Sequence, residues 1–366
     1  MHFKIDRTAF LNELSSLQGV AGAKQVIPIL SHLLIETQAD RIAMRATDLD
    51  LTITTGCGAS VREDGAICLP ARKLMEIAKS LSHGEIEIKT NDLHQATITS
   101  NGSRFKLKGV EAGDFPEPKE FSGEYAEVPA DVFSRFIPRV IHAVGQEASR
   151  YSLNGAKLEI SGERIRMIAT DGHRLALVER EGQFNADLDV ILPKRALSEL
   201  AKLCASNDGM LQIGKADNHI HFKLGKREIV SCLLSGQYPD YDKVIPTQNH
   251  NRFTVRRDLI SPAIKRVALM ADDRHHAIKL EIGDCRMSVS SQTAEIGEAG
   301  EAIVIGYEGE EITAGFNATY LNDFLNAIEE DEILFEFKNG DTQTLMSVTT
   351  EYSDRASAVI MPIRLA

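Results

Sequence analysis

Apolar and polar residues alternate over Arg166-Met167-Ile168-Ala169-Thr170 and again over Arg174-Leu175-Ala176-Leu177-Val178. That period of two is the signature of strands with one buried face. Between them stands Asp171-Gly172, a dipeptide that tolerates the positive φ angles of a tight bend, so the pattern predicts an antiparallel hairpin. The same pattern occurs in Met44-Arg45-Ala46-Thr47-Asp48-Leu49-Asp50-Leu51, and Thr170 follows Thr47 by 123 positions. Two more landmarks keep this interval. Leu69-Pro70-Ala71-Arg72-Lys73-Leu74 is echoed by Leu192-Pro193-Lys194-Arg195-Ala196-Leu197, and Gly113-Asp114-Phe115-Pro116 by Gly236-Gln237-Tyr238-Pro239. Self-similarity at a fixed period decides the architecture before any motif does.

A third copy is fainter but keeps the order. Arg286-Met287-Ser288-Val289 takes the hairpin's place, and Phe316-Asn317-Ala318-Thr319-Tyr320-Leu321 that of the Pro-led helix. Each unit opens with a short strand and an amphipathic helix: Phe3-Lys4-Ile5-Asp6 into 8–17, Ala126-Glu127-Val128-Pro129 into 130–144, and Phe253-Thr254-Val255 into 257–270. Polar, turn-rich stretches at Ser122-Gly123-Glu124 and Gln248-Asn249-His250-Asn251 divide the chain into 1–121, 122–247 and 248–366. Strands grouped in runs, with two helices per unit, predict an α+β fold whose helices pack on one face of antiparallel sheet.

A chain of 366 residues is too long for one ordinary core, and 43% hydrophobic with 26% charged residues suits a globular protein. No apolar run is long enough to span a bilayer, and Met1-His2-Phe3-Lys4-Ile5-Asp6 lacks the apolar core of a signal peptide. A cytoplasmic location without membrane contact is the expectation. Cys57, Cys68, Cys204, Cys232 and Cys285 are odd in number, scattered and never in a CxxC pair, so buried reduced thiols are expected rather than disulfides or zinc.

The formal charge of −12 excludes a uniformly positive surface but not nucleic acid, because the placement of the cations decides that. Five of the six predicted helices carry basic residues: Arg7; Arg72, Lys73 and Lys79; Arg135 and Arg139; Lys194, Arg195 and Lys202; and Arg256, Arg257, Lys265 and Arg266. The sixth, 317–330, is acidic. A solvated face explains any one basic helix, whereas five in equivalent places suit a surface that attracts phosphate. With no tryptophan and few aromatics on these helices, a grip on duplex backbone fits better than stacking against single strands.

Over its full length the chain resembles the β-subunit family of bacterial DNA polymerase III, the replicative sliding clamps. The resemblance is carried by Pro28-Ile29-Leu30, Ala46-Thr47-Asp48-Leu49, Pro70-Ala71-Arg72-Lys73, Ser103-Arg104-Phe105, Asp114-Phe115-Pro116, Leu153-Asn154-Gly155, Ala169-Thr170-Asp171-Gly172-His173-Arg174-Leu175-Ala176, Tyr238-Pro239-Asp240-Tyr241 and Met361-Pro362-Ile363-Arg364-Leu365. It implies a DNA clamp (processivity-fold) protein: a head-to-tail homodimer closed into a ring, antiparallel sheets outside and helices lining the hole. It implies further a non-catalytic, cofactor-free processivity factor that encircles duplex DNA without regard to sequence. Its implied partners are the replicative polymerase α subunit, the clamp loader, repair polymerases and other proteins with clamp-binding motifs.

By family position, the resemblance places Lys24, Arg72, Lys73, Arg150, Tyr151, Lys194 and Arg195 toward DNA. Ser152 stands where familiar members carry a second Tyr, so only Tyr151 is carried over. A peptide-binding groove is implied at Leu153, Thr170, His173, Arg174, Leu175, Pro239, Val244, Val359, Ile360, Met361, Pro362, Ile363 and Arg364. Such a slot combines adaptable apolar walls with a few polar anchors, here His173 and Arg174. Pro362 places the tail at a sheet edge rather than in a central strand. The implied dimer contacts are Arg104, Phe105 and Leu107 of one protomer against Leu269 and Met270 of the other.

Competing readings are weaker. Gly209 to Ala216 has the spacing of a phosphate-binding loop as far as Lys215, but Ala216 replaces the Ser/Thr that would bind magnesium, and the stretch alternates like a strand. His219-Ile220-His221 and His275-His276 have no Cys or carboxylate at ligand spacing, so exposed histidines are expected. Asp171 and His173 could serve as acid and base, but neither Ser103 nor Ser152 has the context of a nucleophile. A repeat adaptor that binds only proteins is the remaining rival.

Overall fold

The computed structural model describes residues 1–21, 27–147, 149–205, 208–293 and 297–364. The first repeat runs β1 (His2–Asp6), α1 (Arg7–Ala21), β2 (His32–Gln38), β3 (Arg41–Thr47), β4 (Leu51–Gly58), β5 (Ser60–Glu63), β6 (Gly65–Pro70), α2 (Ala71–Ser80), β7 (Glu85–Thr90), β8 (Gln95–Ser100) and β9 (Ser103–Lys108). The second runs β10 (Ala126–Pro129), α3 (Ala130–Val140), β11 (Gly155–Ser161), β12 (Arg164–Thr170), β13 (Arg174–Glu181), β14 (Leu188–Pro193), α4 (Lys194–Ala205), β15 (Met210–Ala216), β16 (His219–Leu224) and β17 (Arg227–Cys232). The third runs β18 (Asn251–Arg256), α5 (Arg257–Val267), β19 (Ala277–Gly283), β20 (Arg286–Thr293), β21 (Gly297–Val304), β22 (Ile312–Asn317), α6 (Ala318–Ala327), β23 (Glu332–Phe337), β24 (Thr344–Thr349) and β25 (Arg355–Ile360).

The chain forms two compact units, Met1–Ser134 with Arg195–Leu233, and Arg135–Lys194 with Leu234–Ala366. The first unit holds a sheet ordered β5-β1-β7-β8-β9 and an eight-stranded sheet ordered β10-β15-β16-β17-β4-β3-β2-β6. The second holds an eight-stranded sheet ordered β18-β23-β24-β25-β13-β12-β11-β14 and a four-stranded sheet ordered β21-β20-β19-β22. Each eight-stranded sheet therefore draws four strands from one repeat and four from the next. They are joined by the antiparallel pairs β17–β4 and β25–β13. Helices pack on the sheets as their apolar stripes require: α1 on α2, β3 and β4, and α5 on α6, β20 and β21.

The helix starts follow local chemistry. Pro70 and Pro193 each stand one residue before a helix, and at the third equivalent place the Asn317 side chain accepts from the Thr319 N–H at 2.8 Å. Helix ends depart from the predicted extents. α3 carries Pro138 inside its last turn, stops at Val140 and continues as a 3-10 turn over Ile141–Ala143. α6 stops at Ala327, three residues short of the predicted end.

Several predicted cations prove structural. Arg7 donates to the carbonyls of Ala78 (3.1 Å) and Lys79 (2.9 Å) at the end of α2, and Arg257 to those of Glu330 (3.0 Å) and Glu329 (3.2 Å) just past α6. Arg7 thereby satisfies two orphan acceptors of the α2 C-terminus, and Arg257 ties the start of α5 to the segment that follows α6. Arg135 pairs with the fully buried Asp354 at 3.0 Å, and the buried Arg139 donates to Glu330 at 2.6 Å. Glu330, just past α6, thus holds α3 through its carboxylate and α5 through its main-chain carbonyl.

The cysteine and histidine expectations need correction. Cys57, Cys68 and Cys204 are buried, but Cys232 is half-buried and Cys285 is exposed on a β-turn at positive φ. His275 and His276 are exposed, whereas His221 is buried and stacks on Phe121, ring centroids 5.4 Å apart. His219 does have a Cys partner: strand pairing sets it opposite Cys232, with Nε2 3.3 Å from Sγ. That neighbour is invisible to sequence spacing because it arrives across the sheet.

Candidate functional site

The hairpin that dominates the sequence pattern forms as predicted. β12 and β13 pair up to Thr170↔Leu175, and Gly172 takes φ +91 at the bend. Thr170 Oγ1 accepts from the Gly172 N–H at 3.1 Å and donates to the Arg174 carbonyl at 2.6 Å, so its hydroxyl serves the turn. Asp171 Oδ1 accepts from the N–H groups of His173 (3.0 Å) and Arg174 (3.1 Å), the local self-capping that suits Asp to turns.

Arg174 is not an open anchor. Its guanidinium donates to Asp171 Oδ2 at 3.1 Å, Asp323 Oδ2 at 2.5 Å and the His142 carbonyl at 2.6 Å, and its side chain is only 10% exposed. It also lies over the Tyr320 ring, 4.4 Å from the centroid, while His173 stacks on that ring at 6.5 Å. Burial, aided by the Arg174 charge, pushes the His142 imidazole down to about 4, so it is neutral at physiological pH. A cleft of about 310 Å³ opens here, lined by His142, Glu147, Arg150, Leu153, His173 and Tyr320 among others.

Beside this cleft lies an apolar floor. Leu153, Leu175 and Val359, all predicted, form one buried cluster with Ile168, Leu177, Ile191, Tyr238, Tyr241 and Leu345, and the predicted Val244 packs against it with Leu234 and Ile245. Ile360 is fully buried at the end of β25, a central strand. The tail then leaves the sheet: the Met361 N–H donates to the His173 carbonyl at 3.2 Å, and the Ile363 N–H to the Gly315 carbonyl at 2.9 Å on the edge strand β22. Pro362 thus lies beyond the strand. Met361, Pro239, His173 and Arg364 are exposed, Pro362 and Ile363 half-buried. Sequence reasoning missed Tyr320, which gave no motif, and Tyr238, whose signal was present in the repeated Gly-x-aromatic-Pro landmark.

Models of three polymerase domains match the chain: the DNA polymerase III beta subunit N-terminal domain over residues 1–119, its central domain over 127–240 and its C-terminal domain over 242–364. The chain belongs to the DNA polymerase III β-subunit family. It is 32% identical to the beta sliding clamp of Pseudomonas putida and 29% identical to that of Escherichia coli, with all of each chain covered. Among solved structures, a Pseudomonas aeruginosa sliding clamp bound to griselimycin matches with TM-score 0.93 at 31% identity, and a Bacillus subtilis clamp with 0.93 at 26%, again over both full lengths. As a member of this family the chain is a sliding clamp of DNA polymerase III, a non-catalytic component of replication.

The remaining predicted residues fall as follows. Lys24 lies outside the described residues. Arg72 and Lys73 are exposed on α2, and both pair with Glu76, at 3.2 and 2.5 Å. Arg195 bonds Asp48 and the Gly19 carbonyl, the latter at 3.1 Å. Lys194 is half-buried beside it. Arg150 is exposed and Tyr151 is 57% exposed, too much for a core aromatic. Arg104, Phe105 and Leu107 lie on β9, an edge strand; Leu269, 77% exposed, and Met270 lie on the turn after α5. Among the described residues, no cluster of His, Cys, Asp and Glu could hold a metal ion, and no helix is long and apolar enough to cross a membrane.

Proposed function

We propose that two copies of this chain close head to tail into a ring around duplex DNA, three repeats from each. The order of the strands carries this reading. Each eight-stranded sheet joins the half β10-β15-β16-β17, or its equivalent β18-β23-β24-β25, to a half ordered like β4-β3-β2-β6. One half of each kind is left over: β1-β7-β8-β9, open at β9, and β21-β20-β19-β22, open at β21. By equivalence β9 of one protomer pairs antiparallel with β21 of another, as β17 does with β4, and these two open edges are then both covered. The charges agree: β9 exposes Arg104, Lys106 and Lys108, whereas β21 carries Glu298 and Glu301.

In this reading Arg72, Lys73, Arg150, Tyr151, Lys194 and Arg195 face phosphate weakly enough to slide, and topology provides retention. The apolar floor under Leu153, Leu175, Val244 and Val359, with the tail at Met361 to Arg364, receives short motifs from the polymerase, the loader and repair proteins. The three repeats are the domains 1–121, 122–247 and 248–366, working in the cytoplasm.

Sedimentation equilibrium should give about twice the 40.3 kDa of one chain, and Arg104→Glu with Lys106→Glu should reduce it to one. After enzymatic loading, the protein should stay on nicked circular duplex and leave once that DNA is linearised. A monomer at working concentration, or retention indifferent to DNA ends, would overturn the ring.

A further inference from the structure

The second and third repeats carry the same ion pair at the same place in their sheets. In the second, Lys157 Nζ lies 2.8 Å from Glu159 Oε1, and Lys157 is flanked in register by Ile168 and Ile191. In the third, Lys279 Nζ lies 3.1 Å from Glu281 Oε1, and Lys279 is flanked by Ser290 and Gly315. The two pairs are therefore equivalent, strand for strand.

The second repeat covers its pair. Tyr241 donates its hydroxyl to Glu159 Oε2 at 2.6 Å and sets its ring 5.9 Å from Lys157 Nζ. Tyr238 donates to the Ile168 carbonyl at 3.2 Å. Both tyrosines belong to a segment anchored where the Leu234 N–H meets the Ile191 carbonyl at 3.0 Å. The third repeat keeps that anchor, as the Ile363 N–H bond to Gly315, equivalent to Ile191. Yet no described residue takes the tyrosines' place over Lys279 and Glu281. Instead a hollow of about 930 Å³ opens there, bordered by Ser290, Gly300, Glu298 and Arg364. Its depth follows from the residues beneath it: where the second repeat has Ile168 and Leu177, the third has Ser290 and Gly300.

We propose that this hollow is a docking site for an extended segment of a partner protein bearing a tyrosine, whose hydroxyl donates to Glu281 and whose ring lies against Lys279. The pair is a receptor whose ligand one repeat carries in its own chain and the other takes from outside. Glu298 on the β21 side and Arg364 on the β22 side give the two ends of the site opposite charge, which orients the segment. The site lies apart from the apolar floor described above, although its rim takes Glu298 and Gly300 from β21, the strand at the proposed ring junction, and Arg364 from the tail.

The probe is a fluorescein-labelled peptide copying residues 234–245, the natural cover of the equivalent pair, titrated into the intact protein by anisotropy. Saturable binding should weaken at least tenfold with Glu281→Gln, or when the tyrosine corresponding to Tyr241 is replaced by Phe in the peptide. Ser290→Leu with Gly300→Leu, which fills the hollow, should abolish it, and a polymerase clamp-binding peptide should not displace the probe. No binding at millimolar peptide, binding indifferent to Glu281→Gln, or displacement by the polymerase peptide would overturn the assignment. So would self-association beyond two chains that Glu281→Gln removes, since the occupant would then be another copy.

Discussion

The hairpin turns at 47–51 and 170–174 have the same internal frame and opposite surroundings. In the first, Thr47 Oγ1 accepts from the Leu49 N–H at 3.1 Å, and Asp48 Oδ1 from those of Asp50 and Leu51 at 3.1 and 2.8 Å, as Thr170 and Asp171 do in the second; only the other bond of the threonine differs, to the Thr52 hydroxyl in the first and to the Arg174 carbonyl in the second. Equivalent carbonyls, of Gly19 and His142, each receive a guanidinium. In the first turn the arginine comes from helix α4 and reaches Asp48; in the second it belongs to the hairpin and reaches Asp323 on helix α6. The floors differ more. Arg45, Thr52 and Thr54 stand where Ile168, Leu175 and Leu177 build the apolar cluster, and Arg45 pairs with Glu117 at 3.0 Å. The frame is therefore scaffold, and the apolar floor on which the proposed peptide slot rests differs between the two repeats at these three side chains.

Writing the first floor into the second is the strongest way to break this contrast. Leu175→Thr with Leu177→Thr should lower the unfolding free energy by ~4 kcal/mol in guanidinium titrations, because both are buried and leave space and unpaired hydroxyls. The same variant should lose polymerase-motif peptide binding in a fluorescence titration; retained affinity would move the slot elsewhere.

Next come the arginines. Arg174→Ala strands two carboxylates and a carbonyl in a largely buried place and should cost ~3 kcal/mol. Arg195→Ala strands one carboxylate, Asp48, whose side chain is only 5% exposed, but removes an arginine that is itself about half exposed, and should cost less, ~2 kcal/mol. Equal losses would mean that the two turns are held alike.

Acid sharpens the contrast further. The fold accepts His142 neutral, its imidazole held at about 4, so its contribution is full above the ordinary value near 6.5 and is lost as pH falls toward 4. The slope from this one proton is at most ~1.4 kcal/mol per pH unit. The equivalent Gly19 titrates nothing. An NMR titration of His142 should give a midpoint near 4 that rises in Arg174→Ala; an ordinary midpoint in both proteins would refute the coupling.

The smallest effect is at the bend. Leu49, at φ +81, holds the place of Gly172 at φ +91. Leu49→Gly should stabilise, and Gly172→Ala destabilise, by ~1 kcal/mol each, from left-handed strain that glycine avoids, read as opposite shifts in Tm.

Much of this was legible beforehand because it is local. Alternation marks the strands of both hairpins, and Pro70, Pro193 and Asn317 mark helix starts, whereas Leu153, Leu175 and Val359 are indicated only by the family resemblance. What escaped was carried by distant chain. Arg174 read as an open anchor because Asp323 and Tyr320 lie far along the sequence, and His219 seemed to lack a ligand-type neighbour because Cys232 meets it only across the strand pair. Arg7 and Arg257 counted as surface cations until the carbonyls of Ala78 and Glu330 claimed them.

By itself the sequence determined the threefold unit, the order of elements within it and which face of each strand is buried, since all of these depend on residue type and short spacing. Only the tertiary structure decided that sheets run on from one repeat into the next, that β9 and β21 keep open edges, and that the apolar cluster is broad in the second repeat and confined to Leu34, Cys68 and Phe115 with Ile29 and Ala112 in the first. An alternating pattern states that a face must be covered and says nothing of what covers it. That is set by backbone pairing between strands such as β25 and β13, whose partners lie far apart in the chain.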